Sequence, residues 1–384
     1  MRRSVSVFGI AAGLLLVWAL VAGVTQTDTP LPSTPAFPAL GPDLRISRAD
    51  FAALVDALSE PEGYFDTDNF ITNETSYLHV IDRLADRVAP GGVYFGVGPG
   101  QNFSYIVHTD PSLAIVADIR RQNLLQHLVF KVLIERAGGR LDYLCTLLAR
   151  DCRDLPATAD FPDLLAGVRL APFDRALLDR TIAGVRQTLT GEYGMNLSAL
   201  DLERIEYVQT SFAGAGLALR FSTLGRPSPG YPTFGEILLE RDLGGQYRSY
   251  LSTDALFAEL QEFQRENRLI PVVGDFAGTQ SLPAVAGFLR EQSLEVSVFY
   301  ASNVEFYLFD SPEWDQYLEN LRQFPFDDDA VFVRSYFPTG FPMHPQNVPG
   351  HRPTSLVQSV RGFLEDAAAR RHVSYWDVVS RHLY

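Results

Sequence analysis

The chain has 384 residues, of which 46% are hydrophobic and 20% are charged, a composition typical of a globular protein with a substantial core. Its 46 acidic residues outnumber its 32 basic residues, so the formal net charge is −14. An acidic surface repels a phosphate backbone, and no Lys/Arg run indicates a basic groove. We therefore expect no nucleic-acid partner, and the length leaves room for one large domain or two ordinary ones.

The N-terminal region contains a long apolar segment. Two arginines precede an uncharged run of about 20 residues, the length that crosses the hydrocarbon core of a bilayer. Residues 1–24 are predicted to be a signal peptide or a transmembrane anchor, with membrane contact through residues 5–24. The arginines are expected to stay in the cytoplasm, so the globular part is predicted to be extracytoplasmic, either membrane-anchored or exported to the cell envelope. Residues 25–43 are rich in Thr and Pro and predict an extended linker.

A glycine turn between two apolar strands is the most informative pattern in the sequence. The first strand begins at Val93 and runs into a turn that contains Gly96, Gly98 and Gly100, and the second strand ends at Asp118. Glycines allow the backbone to approach a ligand, and an acid at the end of the next strand can accept hydrogen bonds from ribose hydroxyls. The pattern predicts a nucleoside-binding α/β unit.

The spacing of the glycines distinguishes between nucleoside ligands. In the dinucleotide fingerprint G-x-G-x-x-G, the third glycine allows close packing around a pyrophosphate. Gln101 stands at that position here, which argues against NAD or FAD. The turn G-x-G-x-G instead resembles motif I of the class I S-adenosylmethionine-dependent methyltransferases, which hold a nucleoside without a pyrophosphate.

Later apolar segments follow in the order of that methyltransferase core. They begin at Leu269, Leu294 and Ala330, and the resemblance covers residues 92–137 and 266–337. The resemblance implies an α/β fold with a Rossmann-like, methyltransferase-type sheet, combined here with a helical insertion and the N-terminal apolar segment.

The globular domain is predicted to span residues 44–384. Its helical insertion, at about 138–266, is far longer than an ordinary α/β connection. Together with the polar segment Phe65–Val80, the core motifs are similar to those of an uncharacterised bacterial family with a methyltransferase-like core. This resemblance supports the fold more than the function.

The resemblance implies S-adenosylmethionine as the cofactor. Asp118 matches the acid that holds the ribose, and Asp275 matches the acid that faces the adenine amino group. The sequence departs from the methyltransferases at Tyr94, where they usually carry an acid that helps to position the methionine ammonium. The complete set of residues expected around the cofactor is Gly96, Gly98, Gly100, Asn102, Asp118, Arg120, Gly274 and Asp275.

Ser302, Asn303 and His344 are the candidate catalytic residues. The Ser302-Asn303 pair ends a predicted strand at the place where many methyltransferases carry a polar, substrate-side motif. His344 lies in a Pro-rich loop, and a histidine at a pocket rim titrates near neutral pH, as a general base requires. We expect no metal, because no acid lies among His344 and His351.

A polar and aromatic loop precedes the first predicted strand. In class I methyltransferases the corresponding segment often folds over the cofactor. Asp68, Asn69, Asn73 and Glu74 are therefore candidates for lining the pocket. The alternative is that these side chains serve ordinary turns and helix caps.

Two further expectations concern structure alone. Cys145 and Cys152 lie seven residues apart, which is too far for a disulfide within a continuous helix, so we expect two free cysteines in or near the core. The alternative is a helix break near Asp151, which would permit a disulfide. Residues Thr354–Arg371 have the spacing of a final amphipathic helix.

Two functions are consistent with these sequence features. The first is methyl transfer from S-adenosylmethionine to an unknown small-molecule or protein acceptor. The alternative is a non-catalytic, membrane-tethered envelope protein that uses the nucleoside-binding fold for another ligand or partner. S-adenosylmethionine is a cytoplasmic metabolite, so the predicted export favours the alternative, whereas the agreement of Asp118, Asp275 and Asn303 with the methyltransferase pattern favours the first.

Overall fold

The structure is a computed structural model that describes residues 37–41, 43–223, 230–340 and 342–384. The predicted signal peptide or anchor and most of the predicted linker lie outside these residues. Among the described residues, no helix combines the length and the apolar character needed to span a bilayer. Residues Phe37–Tyr384 form one compact unit.

The core of this unit is a mixed sheet. Five parallel strands and one antiparallel edge strand are arranged in the order β3-β2-β1-β4-β5-β6. The order reverses between β1 and β4, which makes the sheet Rossmann-like. The strands are β1 (Val93–Val97), β2 (Leu113–Asp118), β3 (Leu269–Val273), β4 (Val296–Ser302), β5 (Phe326–Tyr336) and β6 (Thr354–Ser359).

The central strands are continuous apolar runs because helices cover both faces of the sheet. Every residue of β1, β2 and β3 is buried. In chain order the helices are α1 (Arg48–Leu58), α2 (Ile81–Arg87), α3 (Asn102–Thr109), α4 (Arg121–Arg136), α5 (Arg140–Leu147), α6 (Phe161–Leu170), α7 (Arg175–Gln187), α8 (Ala199–Ala215), α9 (Phe234–Leu238), α10 (Asp254–Arg265), α11 (Ser281–Glu291), α12 (Val304–Leu308), α13 (Glu313–Gln323), α14 (Val360–Ala368) and α15 (Tyr375–Ser380).

The connection between β2 and β3 is largely helical. Helices α4 to α10 lie within it, and α8 packs against α4. Arg121 at the start of α4 donates from Nε to Asp201 of α8 at 2.6 Å and from Nη2 at 3.0 Å. This bidentate ion pair joins the inserted helices to the sheet beside the end of β2.

The predicted helix over Thr354–Arg371 is wrong in its first third. Residues Thr354–Ser359 form β6, which pairs antiparallel with β5 from Val331 opposite Ser359 to Tyr336 opposite Thr354. The helix α14 begins only at Val360. A short apolar run fits both periodicities, and the strand forms here because it pairs the backbone at the edge of β5.

The expectation of two free cysteines is also wrong. Cys145 and Cys152 form a disulfide, with their Cα atoms 6.2 Å apart. Helix α5 ends at Leu147, and Ala149 has a left-handed backbone with φ of 49°. The chain reverses there and brings Cys152 back beside Cys145, so the condition that a bridge required, a helix break, is met.

Candidate functional site

A cavity of about 250 Å³ opens where the parallel strands end. The carboxyl ends of β1, β2 and β4 and the loop after β3 form its floor, at the point where the strand order reverses. We call it the strand-end cavity. It is lined by Phe65, Asp66, Thr67, Asn69, Thr72, Asn73, Glu74, Val97, Gly98, Gln101, Asp118, Ile119, Arg120, Phe221, Thr223, Tyr231, Gly274, Asp275, Phe276, Ser302, Asn303, Val304, Tyr307 and Leu308.

The side chain of Asn102 fixes the backbone of the glycine turn and does not belong to the cavity lining. Its Nδ2 donates to the carbonyls of Val97 at 2.9 Å and Pro99 at 2.7 Å, and its Oδ1 accepts from the Tyr94 hydroxyl at 2.7 Å. A Cβ at Gly96 would come within 2.2 Å of Asn102 Oδ1, so only glycine fits there. This network takes Asn102 out of the cavity and fixes the backbone that faces it.

Gly98 is the glycine of the turn that lines the strand-end cavity. Its φ of +82° is one that L side chains rarely adopt. Gly96 and Gly100 do not belong to the lining, and a Cβ at Gly100 would contact the rings of Phe103 and Phe130. The three glycines therefore have different structural roles.

Asp118 and Arg120 form an ion pair within the cavity wall. The guanidinium donates from Nε to Oδ1 at 2.9 Å and from Nη2 to Oδ2 at 2.7 Å, and the backbone N of Arg120 also donates to Oδ1. Arg120 Nη1 donates to the carbonyl of Thr67 at 2.9 Å. The predicted ribose-binding acid is thus already neutralised by its neighbour, and a ligand hydroxyl would bind at the remaining lone pairs of its carboxylate.

Glu60 fixes the loop that follows β3. Its carboxylate accepts from the backbone N of Asp275 at 2.5 Å and of Ser281 at 3.1 Å. Asp275 Oδ1 in turn accepts from the backbone N of Ala277 at 2.9 Å. Gly274 is required because a Cβ there would lie 2.6 Å from the hydroxyl of Ser281. The predicted adenine-facing acid is held in place before any ligand binds.

Glu74 is the most deeply buried carboxyl of the lining, with an exposed fraction of 2%. It accepts hydrogen bonds from the hydroxyls of Tyr300 at 2.7 Å, of Ser302 and of Ser335. Gln101 Nε2 donates to the Tyr300 hydroxyl at 3.1 Å. Burial raises the pKa of Glu74 above its ordinary value of 4.5, and the three hydroxyls oppose this shift only in part.

Two residues of the lining have strained backbones. Ser302 has φ of 53° and Asn69 has φ of 48°, in the left-handed region that non-glycine residues rarely occupy. The pairing of β4 with β5 is irregular between Tyr300 and Ser302, so the strand bends as it ends. Strain of this kind clusters at functional sites, where the surrounding structure holds it in place.

His344 lies outside the strand-end cavity. It is buried, with its ring centroid 5.7 Å from that of Tyr336 and 5.5 Å from that of Trp376. Its Nδ1 accepts from the backbone N of Gln346 at 3.1 Å, and burial lowers the pKa of the ring. The described residues contain no cluster of His, Cys, Asp and Glu that would hold a metal ion.

Aromatic pairs flank the cavity on two sides. The ring centroids of Phe65 and Tyr307 are 5.1 Å apart, and those of Phe221 and Tyr231 are 4.9 Å apart. All four side chains belong to the lining. Such rings provide apolar surface for a flat heterocycle or for a cation.

The lining carries an excess of acid. Four carboxyl groups, from Asp66, Glu74, Asp118 and Asp275, face one guanidinium, from Arg120, among the described residues of the wall. Of the residues predicted from the sequence, the cavity brings together Gly98, Asp118, Arg120, Gly274, Asp275, Ser302 and Asn303, together with Asn69, Asn73 and Glu74 from the preceding loop.

The fold and the site define an α/β protein with a Rossmann-like sheet and an acidic cavity at its strand ends. The chain belongs to the family described as Domain of unknown function (DUF7790), which matches residues 69–153 and 236–382. No match to a curated protein is found. The floor of the cavity lies within the matched segments, whereas the aromatic pair of Phe221 and Tyr231 lies between them.

Proposed function

We propose that the strand-end cavity binds S-adenosylmethionine and that the protein transfers its methyl group to an acceptor. The observation that carries the proposal is the position of Gly98, Asp118 and Asp275 in one cavity wall. They come from the ends of β1 and β2 and from the loop after β3, which meet where open α/β sheets bind their ligands. They also correspond to the backbone, ribose and adenine contacts that the methyltransferase resemblance implies.

The charge of the cavity supports a cationic nucleoside. Four carboxyl groups against one guanidinium repel phosphates and attract cations. S-adenosylmethionine carries a sulfonium and an ammonium, whereas NAD and ATP carry phosphate groups. The charge of the cavity and the presence of Gln101 at the third glycine position therefore both argue against a dinucleotide.

The size of the cavity supports a small ligand. Its volume of about 250 Å³ lies just below the range of roughly 300–1,000 Å³ that is common for drug-sized ligands. A single nucleoside with a short side chain is close to this size, and a dinucleotide is far larger. Binding would need only a modest increase in cavity volume, which a rotation of the exposed Tyr307 side chain could provide.

Calorimetry on the full-length chain in mild detergent tests the proposal. We expect S-adenosylmethionine to bind with a Kd near 1 μM, or about −8 kcal/mol. Asp118→Asn and Asp275→Asn should each weaken binding about tenfold, as expected for the loss of a hydrogen bond to a carboxylate. The matched control is Asp328→Asn, which changes an exposed aspartate outside the cavity. Absence of binding at millimolar ligand would rule out the nucleoside site.

One observation favours the second candidate function, a non-catalytic envelope protein. The disulfide between Cys145 and Cys152 is of the kind that persists in oxidising compartments, where the methyl donor is absent. In this case the cavity binds another small cation or polar ligand. Failure of S-adenosylmethionine to bind, combined with an oxidised disulfide in the protein isolated from cells, would support this function over methyl transfer.

A further inference from the structure

We propose that Ser302, backed by the carboxylate of Glu74, forms a subsite for the amino group of the ligand. The inference rests on the proposed function, because it assigns one end of a nucleoside ligand to one end of the strand-end cavity. Asp118 and Asp275, which are proposed to bind the ribose and the adenine, follow β2 and β3, on the other side of β1 from β4 and Ser302. The two sides would thus recognise different parts of one molecule.

The hydrogen bonds of Ser302 have the polarity that an ammonium group requires. Its Oγ donates its proton to Glu74 Oε1 and lies 3.4 Å from Asn303 Oδ1, so the hydroxyl keeps lone pairs that can accept a hydrogen bond at the cavity wall. An ammonium group has donors only, and it would donate to Ser302 Oγ while the carboxylate behind it balances the charge. The left-handed backbone of Ser302 holds this hydroxyl at the cavity wall.

Glu74 is held rigidly in the position that this role requires. Tyr300 and Ser335 donate to its Oε2, and the backbone N of Glu74 donates to Thr72 Oγ1 at 3.1 Å. Since the carboxylate is fixed by residues of β4 and β5, a bound cation would not have to order it. The charge is therefore preorganised at this end of the cavity.

The position that usually binds the ammonium is not available in this chain. Tyr94 has an exposed fraction of 0%, and its hydroxyl is bonded to Asn102 behind the glycine turn. Glu74 lines the cavity from a different segment and supplies the negative charge that Tyr94 lacks. The side chains of Asn69, Asn73 and Asn303 also line the cavity and offer amide N–H donors suited to a ligand carboxylate.

The test compares two thioether nucleosides that differ only in the amino-acid group. S-adenosylhomocysteine carries the ammonium and the carboxylate, and 5′-methylthioadenosine carries neither. Calorimetry with the full-length chain should show that S-adenosylhomocysteine binds about tenfold more tightly, or better. In Glu74→Gln and Ser302→Gly this preference should fall to less than about threefold, while the affinity for 5′-methylthioadenosine changes little.

The variants are chosen to separate recognition from folding. Glycine tolerates the φ of 53° at position 302, so Ser302→Gly removes the hydroxyl without adding strain. Ser335→Ala is the matched control, because it removes a hydroxyl from the same carboxylate at a position outside the lining, and its effect should be the smaller. Thermal unfolding of each variant confirms that it is folded.

The possible outcomes separate this inference from the proposed function. If neither nucleoside binds, the proposed function itself fails. If both bind the wild-type chain equally, or if Ser302→Gly keeps the full preference, the cavity is a nucleoside site but the amino subsite is ruled out. A loss of preference in Ser302→Gly and Glu74→Gln, with the binding of 5′-methylthioadenosine retained, supports the subsite.

Discussion

Glu74 combines burial, charge and three hydroxyl donors in a way that no other carboxyl of the strand-end cavity does. Asp118 is neutralised by Arg120, and Asp275 caps its own loop. Glu74 instead has only neutral donors, from Tyr300, Ser302 and Ser335. A carboxylate desolvated in this way costs stability in the ligand-free protein, and a bound cation would recover part of that cost.

The pH dependence of stability should reveal this cost. Because burial raises the pKa of Glu74 above 4.5, the folded state binds this proton more tightly than the unfolded state does. Stability contributed by the protonated group is complete below about pH 4.5 and declines as pH rises through the folded-state pKa. Glu74→Gln should therefore become more stable relative to wild type as pH rises from about 4.5 through the folded-state pKa, as measured by urea unfolding.

A matched variant controls for the change in net charge. Glu203→Gln also removes one acid, but from an exposed position on α8. Its stability relative to wild type should vary little over the same pH interval. If Glu74→Gln shows the same flat profile as Glu203→Gln, burial does not shift the protonation of Glu74.

At the scale of elements, a buried ion pair joins α12 to the sheet. Glu305 at the start of α12 accepts from Nε and, at 2.8 Å, from Nη2 of Arg334 on β5, and both side chains have an exposed fraction of 1%. The Tyr317 hydroxyl donates to the same carboxylate at 2.7 Å. Since α12 begins two residues after Ser302, this pair fixes the bend that carries the candidate site.

Breaking that pair should be costly. Glu305→Gln leaves the Arg334 guanidinium buried without a counter-charge, and the free energy of unfolding should fall by about 3–5 kcal/mol. Replacing both partners, as in Glu305→Leu with Arg334→Met, removes the uncompensated charge and should recover part of the loss. Chemical denaturation measures both variants. A double variant that is no more stable than Glu305→Gln would show that packing, rather than charge, dominates at this position.

Sequence patterns identified the elements that depend on local signals. β1, β2 and β3 are apolar runs bounded by glycine or acid, and each is close to its predicted position. The predicted strand from Leu294 to the Ser302-Asn303 pair is also confirmed, since β4 begins two residues later and ends at Ser302. β6 was missed because it depends on a partner strand, and the disulfide was only the alternative because it depends on where α5 ends.

The candidate site was predictable to the extent that strand ends converge. Parallel strands place their carboxyl ends on one edge of a sheet, so Gly98, Asp118 and Ser302 could be expected to meet from their positions alone. His344 follows β5 in the chain but packs against Tyr336 and Trp376, outside the cavity lining. The environment of Glu74 depends on Ser335, 261 residues away, and no local pattern reveals such a contact.

At the scale of the whole molecule, function depends on the compartment of the globular part. The apolar segment within residues 1–24 and the disulfide both favour an extracytoplasmic location, whereas methyl transfer needs a cytoplasmic donor. The net charge of −14 leads us to expect no nucleic-acid partner in either compartment.

A topology reporter fused after Tyr384 tests the location. Alkaline phosphatase, which is active only where its disulfides form, should be active in this fusion, and a cytoplasmic fluorescent reporter at the same place should be dark. An identical fusion that lacks residues 1–24 is the control and should reverse both results. Activity of the cytoplasmic reporter in the full-length fusion would contradict the predicted export and remove the main objection to methyl transfer.

The outer edge of the antiparallel strand β6 is covered by the last residues of the chain. On the side away from β5, Ser359 N donates to His382 O at 3.0 Å, and Tyr384 N donates to Val357 O at 3.0 Å. Gln358 adds a side-chain hydrogen bond to Val378 O at 3.0 Å. An open strand edge is a template for amyloid-like stacking between chains, and residues 382–384 cover this one. We therefore expect residues 382–384 to prevent aggregation through that edge.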